Sequence, residues 1–506
     1  MSATSLFWLT FAPVIAAGVT ALVVDSFAAR RSVLGPASVS MLLAAGGLSG
    51  LVGAWVALPT TVYGTFVVGG ARSLVAGLVA LLAAAVVLAG SDERASGSGV
   101  MNALISLAAA GAAFAVSAND LVAVLLASET AALCGYALVA SGRSRGSAEA
   151  AMKYFVLGAV STGLFVLGIS VSAASTRGAL SFEALGVATR QSPSAIHLTF
   201  AALMVVAALA AKAGAAPLHW WAPDAYQWAP ARASAFLAGG VKLSAVSVLA
   251  LFVAGVAAGG GALVSADLAP DGVGFALALA AVVSMLVGSL GALHQQSYTR
   301  MLGYAGIAQV GFALMGASSG SPGAAIILVA TYAVASTAVF LAAEVFRSSR
   351  PGWDGTVEGL AGIGRQRPVV GGAVTVALMS LAGVPPLLGF WGKFQALGAA
   401  ASKVTSAAGA SVVWAAWAYG ALTIIGTVTA VVSLGYYGSV VRAMFFEAED
   451  ASAASAAEAG AEGEETRRRS PIAGAVVVAL GIALLVGGAA PLVIGMSRAF
   501  GGFTLG

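Results

Sequence analysis

Long apolar runs alternate with short polar connections along the whole chain. A helix needs about 20 mostly apolar residues to cross a bilayer. Windows of that size fall at 5–24, 34–58, 70–90, 98–117, 120–140, 151–174, 195–217, 232–258, 272–293, 300–318, 322–345, 368–398, 411–440 and 472–496. Runs of this length exceed any ordinary strand, so the pattern predicts an all-α polytopic membrane protein with 14 spans. The first run is too long, and too soon followed by another, to be a cleaved signal peptide, which predicts that it stays as a helix.

Composition agrees: of 506 residues, 59% are hydrophobic and only 9% charged, against roughly 25% charged in soluble domains. The net charge of +4 comes from basic residues scattered singly through the connections, with no stripe and no interleaved aromatics, so nucleic acid is not an expected partner. A single cysteine, Cys134, excludes disulfide frameworks, four-thiolate iron-sulfur clusters and thiolate zinc sites within the chain. The three histidines, His197, His219 and His294, leave little material for haem or zinc. Neither a strand leading into G-x-G-x-x-G nor a P-loop is present, so nucleotide chemistry belongs to a partner. The many Gly and Ala predict close small-residue packing between helices.

Lys and Arg accumulate in cytoplasmic loops and set orientation. The loops after odd-numbered spans carry 16 of them: Arg30, Arg31, Arg94, Arg143, Arg145, Lys153, Arg232, Arg300, Arg347, Arg350, Arg365, Arg367, Arg442, Arg467, Arg468 and Arg469. The other side carries 5: Arg72, Arg177, Arg190, Lys403 and Arg498. Both termini are therefore expected outside the cytoplasm. The Ala/Glu-rich stretch 447–471 reads as a disordered cytoplasmic loop ending in a basic cluster.

Lys and Arg total 24, so three basic residues remain, and all are lysines inside predicted spans: Lys212, Lys242 and Lys393. The chain has 19 Arg and 5 Lys, so three of five lysines in the membrane is not indifferent usage. A desolvated lysine can give up its proton, whereas a guanidinium effectively cannot. Glu129, in the middle of the fifth span, is the expected partner of Lys212, because intramembrane charges face a bundle interior and pair. The alternative is that these are inert ion pairs holding helices together. Glu344 near Arg347 reads as interfacial, Glu149 and Lys153 as an i,i+4 pair or a relay point, and Asn119-Asp120 as a helix cap.

Two of the lysine-bearing spans are interrupted. One reads Lys212-Ala-Gly-Ala-Ala-Pro217-Leu-His219-Trp-Trp221, the other Gly383-Val-Pro385-Pro386-Leu-Leu-Gly-Phe-Trp391-Gly-Lys393. Proline breaks the helical ladder, which at membrane depth is tolerated only where protein or water satisfies the freed groups. The paired breaks suggest an internal repeat around a transport path. The expected division is 1–97 (spans 1–3), 98–258 (spans 4–8), 259–446 (spans 9–13), the loop 447–471, and 472–506 (span 14). With five spans each, the two repeats are inverted relative to one another. His219 is either a proton carrier between the lysines or a satisfied core histidine.

At these residues the chain resembles subunit N of proton-translocating NADH-quinone oxidoreductase, respiratory complex I, a family of antiporter-like subunits. The resemblance covers nearly the whole chain. It rests on Ser117-Ala-Asn119-Asp120-Leu121 leading to Glu129, on Glu149-Ala-Ala-Met-Lys153-Tyr154-Phe155, and on Lys212 through Pro217, His219 and Trp221-Ala-Pro-Asp224-Ala-Tyr226. Lys242 and Gly383 through Lys393 complete it. The resemblance implies 14 spans with breaks in the seventh and twelfth, and a mid-membrane proton path. On that path Glu129 and Lys212 form the pair, Lys242 is the central lysine, Lys393 the distal one, and His219 the histidine after the seventh-span lysine. It further implies a bacterial plasma-membrane location and partnership with other membrane subunits of the complex, including neighbouring antiporter-like ones. NADH, FMN, iron-sulfur clusters and quinone are expected in partner subunits, with no cofactor or metal in this chain. Quinone reduction elsewhere would alter the Glu129–Lys212 pairing and send a proton through Lys242 and His219 towards Lys393.

Two departures stand out. The family's Tyr-Ser-Ser-Ile-Ala-His is here Tyr304-Ala305-Gly306-Ile307-Ala308-Gln309, so a proton role for that histidine is lost or passes to water, and the lysine and arginine pair before it appears as Thr299-Arg300. The alternative reading is a D-type subunit of a multi-subunit cation/proton antiporter, which shares the Gly-Phe-Trp-Gly-Lys run and whose version Ile307 through Gly311 resembles as closely.

Overall fold

A computed structural model describes residues 2–27, 34–56, 58–92, 98–191, 195–259, 272–350, 352–409, 412–448 and 470–488. Most of the predicted loop, 449–469, and the charges Arg30, Arg31, Arg94, Arg467, Arg468, Arg469 and Arg498 lie outside these residues. In chain order the first helices are α1 (Ala3–Phe27), α2 (Leu34–Val56), α3 (Gly70–Ala89), α4 (Ser98–Ser117), α5 (Leu121–Ala140), α6 (Arg145–Thr176) and α7 (Phe182–Gln191). They are followed by α8 (Ala195–Ala213), α9 (Trp221–Trp228), α10 (Ala231–Phe236), α11 (Lys242–Ala258), α12 (Gly272–Leu293), α13 (Tyr298–Ser318) and α14 (Pro322–Ser349). The last are the short α15 (Ile363–Gln366), α16 (Pro368–Ala382), α17 (Leu388–Gly409), α18 (Val413–Phe446) and α19 (Pro471–Gly487).

Among the described residues 12 helices are long and apolar enough to cross a membrane, with α10 and α11 joined into one of them through a π-helical turn, Leu237–Val241. Two shorter apolar helices, α16 and α19, fall at the remaining predicted windows. The most apolar stretches of α13 and α14 are each 94% buried, against 22% for α18 and 28% for α6. Helices α13 and α14 thus form the centre, while α6 and α18 lie at the periphery. At a rise of about 1.5 Å per residue, α6 and α18 run to roughly 50 Å, longer than the roughly 30 Å hydrocarbon core, so they tilt or project beyond it.

Small residues set the closest helix contacts. A Cβ on Gly77 of α3 would sit 2.6 Å from the Gly47 carbonyl oxygen of α2, so only glycine allows the two backbones to meet.

Two elements have no counterpart in the hydropathy pattern. A hairpin of β1 (Thr60–Val62) and β2 (Phe66–Val68) joins α2 to α3, and α7 is a ten-residue amphipathic helix burying Phe182 and Leu185. Both meet the turn between α4 and α5 through the bridges Phe66 to Ala118 and Ser181 to Asp120. Asp120 caps α5 as expected, accepting from the amides of Val122 and Ala123.

The reading of Arg72 and Arg232 as loop charges is corrected. Arg72 lies in the first turn of α3, is 7% exposed, and donates to the carbonyls of Val116 and Ala118 and to Asn119 Oδ1. Arg232, on α10 and 1% exposed, donates to the Val86 carbonyl and to Asn102 Oδ1. Each guanidinium satisfies carbonyls at a helix end, which lets it sit inside the bundle.

Candidate functional site

Both broken helices end in the same way, and glycine is the reason. Gly214 (φ 82°) and Gly383 (φ 89°) adopt the left-handed conformation that terminates α8 and α16. The following amides, of Ala215 and Val384, reach back to the carbonyls of Ala210 (2.8 Å) and Met379 (3.0 Å), closing the last turn in a Schellman-type arrangement. Three residues after each glycine comes a proline, Pro217 or Pro386, preceded in each case by a cis peptide bond.

The groups freed by the breaks find polar partners in neighbouring helices. The Ala216 amide donates to Ser284 Oγ on α12 at 2.9 Å, and Trp221 Nε1 donates across the first break to the Ala211 carbonyl at 3.2 Å. At the second break the Gly389 amide donates to Ser380 Oγ at 3.0 Å and Trp391 Nε1 to the Gly488 carbonyl at 3.1 Å. Irregular backbone at this depth is thus satisfied by protein, as an apolar surrounding requires.

Lys212 stands in the last turn of α8, just before the first break. Its Nζ donates to Glu129 Oε1 on α5 at 2.6 Å, and Thr162 Oγ1 on α6 donates to the same oxygen at 2.5 Å. The side chains are 10% and 25% exposed. Three helices therefore converge on one carboxylate. Beside Lys212 lies a narrow cavity of about 40 Å³, lined among others by Tyr136, Tyr154, Ser161, Trp221 and Ser244. That volume has room for a water or two. It runs from Lys212 to Ser244 on α11, two residues past the second lysine.

Lys242 opens α11 directly after the π-helical turn, a distortion that re-aims the residues that follow it and recurs at functional sites. It is 2% exposed, and its ammonium makes no hydrogen bond to protein. Instead it lies over the rings of Tyr226 and Tyr332, 5.2 and 5.4 Å from their centroids, within cation–π range. Lys393, in the second turn of α17 and 4% exposed, donates to the Ala382 carbonyl at 2.9 Å and approaches Ser433 Oγ at 3.4 Å. The Ala382 oxygen is one of the carbonyls left open where α16 ends, a natural seat for a cation.

His219 lies between the first break and α9. Its ring stacks on Trp220, 4.7 Å between centroids, and its Nδ1 is buried without a hydrogen-bond partner. Gln309, at the position of the expected histidine, donates to the Leu381 carbonyl at 2.8 Å beside the second break. Glu344 is half-buried near the end of α14.

Sequence reasoning missed the centre of one charged cluster. Glu149 and Lys153 do pair at 2.6 Å, but Lys153 also reaches Asp224 on α9 at 2.7 Å. Asp224 in turn binds Arg300 of α13 at 2.5 Å, and Arg300 contacts Gln227 at 2.9 Å. One carboxylate thus ties α6 and α9 to α13, next to an open cavity of about 350 Å³ bounded by Trp228, Thr299 and Arg347. Tyr332, Tyr436 and Tyr437 were also missed; a phenol inside an otherwise apolar span was the available signal. Among the described residues no three His, Cys, Asp or Glu side chains gather as a metal site.

The family model described as NADH:quinone oxidoreductase/Mrp antiporter, TM, matches residues 118–417, a stretch that contains both breaks and all four charged residues. NADH-quinone oxidoreductase subunit N of Hirschia baltica is 36% identical over 357 residues, covering 69% of this chain and 68% of that protein. The subunit N of Laribacter hongkongensis is 31% identical over 477 residues, 91% of each chain. Among solved structures, a chain of respiratory complex I from Thermus thermophilus matches with a TM-score of 0.74 and 27% identity, over 96% of this chain and 98% of that one. A chain of the Mrp complex from a Dietzia species shares the fold at 20% identity and a TM-score of 0.74, over 98% and 96%. The chain belongs to the NADH:quinone oxidoreductase/Mrp antiporter family of membrane subunits, on the subunit N branch of NADH-quinone oxidoreductase.

Proposed function

We propose that the chain moves protons across the membrane as the subunit N of an NADH-quinone oxidoreductase, with Glu129, Lys212, Lys242 and Lys393 as the carriers. The observation that carries this reading is the partly buried Glu129–Lys212 pair at the edge of a broken helix, 2.6 Å between charged atoms. A static pair needs neither a break nor an adjoining cavity with room for water; a pair that opens and closes uses both. In the closed state the carboxylate holds the ammonium in place. A conformational change driven by quinone reduction in a partner subunit separates them, and Lys212 then passes its proton towards Lys242 through the small cavity between α8 and α11.

Lys242 suits the middle position because it has no carboxylate partner and no hydrogen bond, only two ring faces, so little holds its charge in place. Lys393 suits the far end, where the carbonyl of Ala382 accepts the charge. The glycine-broken end of α16, with Ser380 beside it, then leads outward. His219 is kept as a carrier on the strength of its buried, unpartnered nitrogen beside the first break. In this reading the repeats 98–258 and 259–446 supply the two halves of the path, and the excess of Lys and Arg in the connections after odd-numbered spans supports termini outside the cytoplasm. NADH, FMN, iron-sulfur clusters and quinone belong to partner subunits in this reading, and the neighbours in the membrane are other antiporter-like subunits.

Affinity purification of the tagged chain from mild-detergent extracts tests the assignment. NADH:quinone reductase activity that co-purifies with the chain is the expected result. Recovery of a redox-inactive assembly that exchanges sodium for protons would favour the antiporter reading instead.

A further inference from the structure

The proton path proposed above has a gap between Lys242 and Lys393, and three tyrosines occupy it. Tyr332 on α14, with Tyr436 and Tyr437 on α18, are 5%, 3% and 0% exposed, and none of their hydroxyls has a well-formed hydrogen bond to protein. At one end, Tyr332 Oη and Lys242 Nζ share the space left open by Gly306: a Cβ there would lie 2.7 Å from the hydroxyl and 2.8 Å from the ammonium. The Tyr332 hydroxyl faces Ser336 and lies within electrostatic range of Tyr436. Tyr436 and Tyr437 pack ring on ring at 4.5 Å, and around their hydroxyls stand Ser289, Ser433 and Gln309. At the other end, Ser433 lies 3.4 Å from Lys393 Nζ. The buried Ser289 hydroxyl, which faces Tyr436, likewise has no well-formed hydrogen bond.

A tyrosine that serves only to fill space gains nothing from a buried hydroxyl with no well-formed hydrogen bond. Phenylalanine would fill the same volume without that cost. Several such groups side by side point instead to a polar seam whose remaining hydrogen bonds are made by water. We propose that the hydroxyls of Tyr332, Tyr436 and Tyr437 carry the proton from Lys242 to Lys393, in the place where a histidine side chain is replaced by Gln309.

Each hydroxyl accepts a proton on its oxygen as its own proton leaves for the next acceptor, so every phenol ends neutral. Over the whole transfer one N–H bond of the Lys242 ammonium breaks and one forms at Lys393. Gln309 cannot carry a proton in this way. Its amide is tied to the Leu381 carbonyl, and it positions Tyr437 instead. This inference rests on the lysines being carriers, and the test separates the two claims.

Cells whose only copy of the chain carries Tyr332→Phe, Tyr436→Phe, Tyr437→Phe or all three give inverted membrane vesicles in which NADH-driven proton uptake is followed in H2O and D2O. Lys242→Ala serves as the reference, and chain levels are checked by blotting. A positioned proton-transfer group contributes roughly 10²–10⁴-fold in rate; since water can partly replace a lost hydroxyl, the triple variant should lose roughly 10-fold or more, with a changed solvent isotope effect. Single variants carry the test if the triple variant fails to assemble, each slowing uptake at normal chain level. Wild-type uptake in the phenylalanine variants, with Lys242→Ala inactive, overturns the phenol relay and leaves the lysine path standing. Wild-type uptake in Lys242→Ala as well overturns both.

Discussion

Removing the charge from Glu129 while keeping its shape, as Glu129→Gln, tests whether the pair with Lys212 acts as one unit. At 2.6 Å and an effective dielectric constant of about 20, the attraction is about 6 kcal/mol. Part of this offsets the cost of taking both charges out of water, and breaking a buried pair by removing one partner typically costs about 3–5 kcal/mol. Because Glu129 is a quarter exposed, the lower figure applies. About 3 kcal/mol corresponds to roughly 10²-fold in the population of the paired ammonium. The assay is a double-mutant cycle of Glu129→Gln, Lys212→Met and the double variant, read as NADH-driven proton uptake in inverted vesicles at matched chain levels. If the residues form one switch, each single change lowers uptake by roughly 10-fold or more, and the double change lowers it no further than the worse single one. Independent, additive losses would refute the reasoning, because they would mean that neither residue senses the other.

Other expectations concern positions where packing and charge can be told apart. Gly306→Ala places a methyl group against both Lys242 Nζ and Tyr332 Oη, so proton uptake should fall while the melting temperature of the purified assembly changes little; an unchanged uptake would show that these two groups need not approach one another. Arg232→Ala leaves the Val86 carbonyl and Asn102 Oδ1 without their donor, costing about 1–3 kcal/mol per buried group, and should lower the chain's melting temperature in detergent. Asp224→Asn removes both ion pairs that tie α6 and α9 to α13. Its partners are 45% and 32% exposed, so the loss should be about 1 kcal/mol at low salt and should shrink as salt rises, as melting curves at two ionic strengths would show.

The spans were legible in the sequence because bilayer thickness imposes a length and a hydropathy that no other element shares. All 14 predicted windows hold an apolar helix, although α16 is cut short by its own glycine and the polar tail of α17, with Ser402, Lys403 and Ser406, extends past the predicted window. The breaks were legible too, since Gly-x-x-Pro in an apolar run has few other uses. The hairpin at 60–68 and α7 were not, being too short to leave a periodic signal of their own. Buried arginines misled the charge count: Arg72 and Arg232 look like loop charges in one dimension, and only the helix-end carbonyls around them explain their burial. Glu129 and Lys212 were paired from charge alone, 83 residues apart. The link from Asp224 to Arg300 and the contact of Lys242 with Tyr332 join distant parts of the chain across the bundle. Contacts of that kind depend on how helices rotate against each other, which periodicity does not encode.

The central claim, that buried lysines carry protons in a coupled complex, is tested most directly by two substitutions measured side by side. In inverted vesicles, Lys212→Ala and Lys242→Ala are compared with wild type for NADH oxidation and NADH-driven proton uptake, with chain levels shown to be normal. The account predicts that both activities fall together in both variants, because electron transfer cannot run ahead of a blocked proton path. Oxidation and uptake at wild-type rates in both variants, with sodium/proton exchange lost in their place, would contradict it.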